Sequence, residues 1–167
     1  LGKSMADSFE VILVDLRNHG QSPHSSLFSY NVMCDDLLDL FEELNINKAI
    51  LIGHSMGGKV AMQFALENPN FIDKLIVVDI SPKQTPVKNI EIIKAMLEVD
   101  FEKIKTRTGV DLQLEKTIKS PQIRQLLMKN LYWVDKNRLA WKININGIND
   151  NIDEVFKEIT SNNTFEK

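Results

Sequence analysis

Gly53-His54-Ser55-Met56-Gly57-Gly58 sets a serine between glycines, after the apolar run 49–52 and ahead of a helical pattern that starts near residue 58. A serine hydroxyl attacks an acyl carbonyl once a base takes its proton. Strand, G-x-S-x-G, helix is the context in which this pattern makes a nucleophile. The sharp turn lifts the hydroxyl clear of the sheet edge. It also crowds the backbone, and glycines two residues before and after Ser55, Gly53 and Gly57, are expected to leave room for strand and helix. The helix N-terminus then turns partial positive charge and free N–H groups toward the reacting centre. The N–H of Met56 is the expected half of an oxyanion hole, with Gly53, His54 and Gly57 completing the elbow. The alternative is an ordinary turn in which Ser55 caps the helix. That alternative explains the serine but not the glycines around it.

The three histidines lie at or before position 54. His54 adjoins the serine on the turn, so its side chain is expected to diverge from that of Ser55. His19 reads as a loop-packing residue and His24 as a solvated one. None has the i, i+4 partner or the Cys or Asp neighbours of a metal site. No metal and no cofactor are expected.

The elements that must hold the serine follow from periodicity. Residues 10–15 (EVILVD) form a short, continuous, β-branched run that predicts a buried strand. Residues 30–44 carry Met33, Leu37, Leu40, Phe41 and Leu44 on one face of a 3.6-residue period, with Ser29 as N-cap. Residues 48–52 and 74–79 predict two further strands, and residues 58–68 the helix after the turn, stopped by Pro69. Strands alternating with helices predict βαβ units and a parallel sheet, and near-continuous apolar strands predict one covered on both faces.

Composition shifts at Ser81-Pro82. Beyond it no core strand is predicted. Helices are expected over 89–99, 111–118, 121–131 and 148–159, with Trp133 and Trp141 flanking a polar turn at 135–137. A net charge of −3 gives no basic footprint for nucleic acid, and no apolar run approaches the roughly 20 residues that span a bilayer. The partner expected is therefore a small molecule, with neither nucleic acid nor membrane. A single cysteine, Cys34, excludes an intrachain disulfide and points to a reducing, cytoplasmic setting.

These residues resemble the α/β-hydrolases. Three stretches carry the resemblance besides the elbow: the loop Asp15-Leu16-Arg17-Asn18-His19-Gly20-Gln21-Ser22, the strand with acidic tip 75–82 (LIVVDISP), and the pattern around Leu131-Tyr132-Trp133 and Trp141-Lys142-Ile143-Asn144. The last two are similar to small acyl-ester hydrolases, the YbfF-like esterases and their mitochondrial relatives. The resemblance implies a partial α/β-hydrolase sheet over 1–84 with the nucleophile elbow, a mainly helical cap over 85–160, and a linker over 161–167. It implies that Ser55 forms an acyl-enzyme with a carboxylic ester, which water hydrolyses. Asp79, at the carboxyl edge where open α/β sheets place their sites, is the implied acid, the alternatives being an acid after a later strand that these residues lack, or a role for Asp79 as a cap on the turn that follows. Trp133 and Trp141 line the implied acyl pocket or simply pack the cap. Asp15 and Arg17 hold their loop in shape.

The family order places its histidine after the acid, and none follows Ser55 here. The chain therefore reads as an internal piece of an esterase, inactive alone. Other readings stay open: a non-catalytic binding module, a thioesterase, a carbon–carbon bond hydrolase or a cofactor-free haloperoxidase.

Overall fold

In the computed structural model, which describes residues 2–84 and 90–166, two apolar runs pair as a parallel sheet. These are β1 (Ala49–His54) and β2 (Ile72–Val78). The ladder runs from Ala49 opposite Ile72 to His54 opposite Val78, with one irregularity at Ala49/Ile50. The crossover between them is α3 (Met56–Glu67), followed by a 3-10 turn at Pro69–Phe71. Proline ends the α-helix where the sequence predicts, and the chain turns into β2.

Helix α1 (Gly2–Met5) precedes the 15–25 loop, and α2 (Tyr30–Glu43) follows it. Ser29 caps α2 as predicted, its side chain accepting the Val32 N–H at 3.4 Å. Helices α2 and α3 pack on one face of the sheet. Phe28, Met33, Leu37, Phe41, Val60, Phe64 and Ile72 form a buried cluster there, with Phe41 and Phe64 ring centroids 5.1 Å apart. Full burial of each such side chain stabilises the fold by about 1.5–3 kcal/mol over leaving it exposed.

Two expectations are corrected here. Residues 10–15 are not a strand: they run without ladder pairing, and Ile12, Leu13 and Val14 are exposed. A strand needs a neighbour for its N–H and C=O groups, and no described residue supplies one. The sheet is covered on one face only. Ile50, Ile52, Ile76 and Val78 turn exposed side chains to the other.

The second half builds its own cluster. It contains α4 (Ile90–Leu97), α5 (Arg107–Glu115), α6 (Pro121–Met128), β3 (Leu131–Asp135), β4 (Arg138–Trp141), α7 (Ile145–Asp150) and α8 (Ile152–Phe156). The expected helix start at Asn89, like the boundary between 84 and 85, lies outside the described residues. Strands β3 and β4 form an antiparallel hairpin, where no strand is predicted. The polar turn at 135–137 is the one expected, and it closes a ribbon because Leu131 and Leu139 on one of its faces are buried in this second cluster. Val110, Leu114, Leu131, Leu139 and Ile145 are the centre of this cluster. Arg124, almost buried, ties α6 to α5 by donating to Asp111 Oδ1 at 2.9 Å and Glu115 Oε1 at 3.3 Å.

The two clusters touch. Ile93 and Ile143 pack against both, and Ile148 and Val155 pack into the first.

Candidate active site

β1 delivers the chain to Ser55, and α3 starts at the next residue. Ser55 has φ 53° and ψ −125°, a conformation L-residues rarely adopt. Strain of this kind costs on the order of 1–3 kcal/mol and persists only where surroundings over-determine it. Here they do. The Ser55 N–H donates to Val78 O on β2 at 3.0 Å, and Ser55 O accepts the N–H groups of Gly58 at 2.8 Å and Lys59 at 3.2 Å. A Cβ on Gly53 would sit 2.2 Å from Gly57 O, and one on Gly58 2.6 Å from Ile80 Cγ2. Gly57 differs from expectation: a Cβ there meets nothing within 4 Å. The tight pair is Gly53 and Gly58, and it is the Gly57 carbonyl that crowds Gly53.

Ser55 occupies the N-cap position of α3 but its side chain makes no capping hydrogen bond. The residue is exposed. The hydroxyl is therefore not used as an ordinary helix cap. The first N–H groups of α3, beginning with Met56, have no acceptor within the helix to reach and add to the positive end of its dipole.

Asp79 follows β2 directly, with φ 57°. Its carboxylate is exposed, and His54 Nε2 lies 4.0 Å from Asp79 Oδ2. Strand pairing sets this: His54 is opposite Val78, so Ser55 and Asp79, the residues that follow the two strands, emerge side by side. The turn after β2 is held by Ser81, whose Oγ accepts the Lys83 N–H at 3.2 Å.

The 15–25 loop packs as structure. Arg17 grips Asp36 of α2 with two hydrogen bonds of 2.6 and 2.7 Å and donates to Leu27 O at 3.0 Å. The Arg17 guanidinium is held charged above its ordinary range by that carboxylate. Asp15 Oδ2 accepts the Gln21 N–H at 3.0 Å. His19 stacks on Phe28 and its Nδ1–H donates to Arg17 O at 3.0 Å. Exposed His24 sits with Nε2 3.3 Å from Lys142 O.

The two tryptophans separate. Trp141 Nε1–H donates to Met96 O at 3.1 Å and its ring meets Phe101 edge-on at 5.6 Å, so it packs against the second cluster. Trp133 is 48% exposed near the tip of β3.

Sequence reasoning passed over the buried polar residues Asn18, Lys59, Gln63 and Arg124. Asn18 is fully buried with φ 66°, and its side chain links Ser25 to Asn144. Lys59, on the turn of α3 after Ser55, is 1% exposed. Its Nζ donates to the carbonyls of Phe156, at 3.3 Å, and of Lys157, and lies 5.8 Å from the Tyr30 ring centroid. Burial lowers its pKa. The Tyr30 hydroxyl donates to Val155 O at 2.5 Å, so α2 and α3 together hold the end of α8. The signal for Lys59 was present: with Gln63 and Glu67 it forms a polar stripe at i, i+4 and i+8 along an otherwise apolar helix. Among the described residues no group of His, Cys, Asp and Glu could hold a metal ion.

Residues 1–145 match the family described as the alpha/beta hydrolase fold. The chain is 41% identical over 152 residues to the sn-1-specific diacylglycerol lipase ABHD11 of Danio rerio, covering 87% of this chain and 48% of that protein. It is 33% identical over 146 residues to the esterase YbfF of Escherichia coli, covering 87% of this chain and 56% of that protein. Among solved structures, a marine microorganism esterase superposes with a TM-score of 0.90 at 38% identity, over 95% of this chain and 63% of that one. The chain spans about half the length of the curated relatives it matches.

Proposed function

The chain belongs to the α/β-hydrolase family, and from that premise we propose that it carries the nucleophile and acid of a carboxylic-ester hydrolase. Ser55 attacks the ester carbonyl. The negative charge that develops on the carbonyl oxygen falls at the N-terminus of α3, where the Met56 N–H can donate to it. The catalytic base takes the Ser55 proton and returns it to the leaving oxygen, so the alcohol departs as an acyl-Ser55 forms, and water then releases the acid. Asp79 is the proposed partner that orients the catalytic base. The similarity to enzymes named lipase and esterase supports this reading. The observation that carries it is the strained, exposed and uncapped Ser55 held between Val78 O and the two tight glycines.

None of the three histidines is assigned as base. His19 is committed to Phe28 and Arg17 O, His24 faces Lys142 O, and His54, though 4.0 Å from Asp79, adjoins Ser55 in the chain, where its side chain is expected to diverge from the serine's. The domain reading, a core over 1–84, a cap over 85–160 and a linker over 161–167, belongs to this proposal, as do the acyl pocket at Trp133 and Trp141 and the cytoplasmic setting. The second cluster, drawn wholly from residues 92–145, supports a separate unit, while Ile148, Val155 and Ile159 pack into the first. Trp133 offers the free indole, and Trp141 a wall braced from behind.

The experiment is p-nitrophenyl ester hydrolysis by the whole protein and its Ser55→Ala variant. Turnover is expected to fall by about 10⁴-fold or more, as when a triad nucleophile is removed. Equal turnover by the two proteins removes Ser55 as nucleophile.

A further inference from the structure

Residues 103–142 hold ten of the chain's twenty Lys and Arg but three of its twenty-three Asp and Glu. A strongly basic segment thus sits in a chain of net charge −3. Its three carboxylates are already paired, Asp111 and Glu115 with Arg124, and Asp135 with Arg138. Lys116, Lys119, Lys129, Lys136 and Lys142 are exposed, and among the described residues none has a carboxylate at ion-pair distance.

The same segment exposes large apolar side chains: Leu112 at 56%, Leu126 at 60%, and on the outer face of the hairpin Tyr132 and Val134, with Trp133 on the other face of β3. They belong to one body. Arg124 joins α6 to α5, and Arg107 of α5 donates to Met128 O at the end of α6 and to Leu131 O at the start of β3.

We propose that this α5–α6–hairpin unit is a docking surface for an anionic lipid bilayer. The charge selects an anionic partner. The apolar residues select a lipid surface among anions: nucleic-acid phosphates would meet the lysines and leave Leu126 and Val134 in water. Tyr132 sits well at the headgroup level, where an apolar ring and a polar edge are both satisfied. Lysine stems lie along apolar surface while their ammonium groups reach lipid phosphates. The unit lies on the bilayer and does not cross it, and among the described residues no helix is long and apolar enough to span. The sequence gives no such partner because net charge averages the basic segment against an acidic remainder. The proposal is independent of Ser55, since its test reads binding and not turnover.

The test is flotation of the whole protein with vesicles of phosphatidylcholine alone or with about a third phosphatidylglycerol. Binding to the anionic vesicles is expected at least about tenfold above binding to neutral ones, and lost in high salt, as exposed charges are screened. Two variants divide the contributions: Lys129→Glu with Lys136→Glu, and Leu126→Gln with Tyr132→Gln. All four positions are exposed, and circular dichroism checks the fold. Each pair is expected to cut the bound fraction at least about fivefold. Equal binding to both vesicle types overturns the proposal. So does concentration-dependent self-association that the Leu126/Tyr132 pair abolishes while vesicles stay unbound, which assigns the surface to a second copy. Binding to a polyanion such as RNA that ignores the Leu126/Tyr132 pair also overturns it.

Discussion

Two turns of this protein use the same backbone device for opposite ends. At the elbow, Ser55 takes φ 53° beside a glycine, Gly53, whose Cβ would collide with backbone. In the 15–25 loop, Asn18 takes φ 66° near a glycine, Gly20, whose Cβ would lie 2.0 Å from the Asp15 carboxylate. Ser55 is exposed and makes no capping bond; Asn18 is 0% exposed with every side-chain polar atom bonded. A left-handed residue presents its side chain away from the run of the chain. Whether that side chain does chemistry depends on what meets it. At Asn18 the chain folds back onto it, and the conformation becomes architecture. At Ser55 nothing folds back, and the hydroxyl stays available.

The comparison breaks most sharply at Gly53. Its virtual Cβ is 2.2 Å from Gly57 O and 2.7 Å from Gly58 Cα, and backbone cannot rotate aside. Gly53→Ala is expected to cost at least about 4 kcal/mol in urea unfolding or to leave no folded protein. Gly57→Ala is the control. Its Cβ meets nothing within 4 Å, and alanine in the first turn of α3 is expected to be neutral or stabilising by up to about 1 kcal/mol. Similar losses for the two variants would mean the crowding is not what shapes the elbow.

Asn18 is next. Its Oδ1 accepts the Ser25 N–H at 2.7 Å and Asn144 Nδ2–H at 3.0 Å, and its Nδ2–H donates to Ser25 O at 2.9 Å. Asn18→Ala strands those partners and puts a Cβ residue in the left-handed region without the side-chain bonds that favour it there. A loss of about 3 kcal/mol in thermal or urea unfolding is expected. Asn18→Gly relieves only the backbone part, and is expected to recover about 1 kcal/mol. If Gly is no better than Ala, the cost lies wholly in the hydrogen bonds.

The elbow was legible in the sequence because its determinants are local. Glycines, serine, strand and helix lie within about twenty residues, and each imposes its requirement on its neighbours. The Ser29 cap and the Pro69 stop are local in the same way. Gly57 shows the limit: the pattern marks a glycine without saying which atom it makes room for. Asn18 was not legible, because its partner Asn144 stands 126 residues away. Residues 10–15 failed for the same reason. Their β-branched run satisfies every local rule for a strand, but a ladder is a property of two segments. The β3–β4 hairpin failed in the other direction. Its turn was visible, while the burial of Leu131 and Leu139 that makes a ribbon of it depends on α5 and α6.

The smallest expected effect tests whether the 15–25 loop is as closed as Asn18 implies. His19 directly follows Asn18, stacked on Phe28, and burial lowers its pKa from the ordinary 6.5, opposed in part by its hydrogen bond to Arg17 O. The folded state therefore prefers the neutral imidazole, while the unfolded chain takes up a proton near pH 6.5. Stabilisation from this group is complete above the unfolded pKa. It is lost as pH falls below about 6.5 toward the lower folded value. The Tm of the wild-type protein is expected to fall more steeply between about pH 7.5 and 5.5 than that of His19→Gln, which has nothing to titrate there. All other groups are common to the two proteins, so the difference in slope belongs to His19. Parallel profiles would mean that solvent reaches the ring freely. The loop would then resemble the elbow more than its buried asparagine suggests, with a side chain held in place by backbone alone.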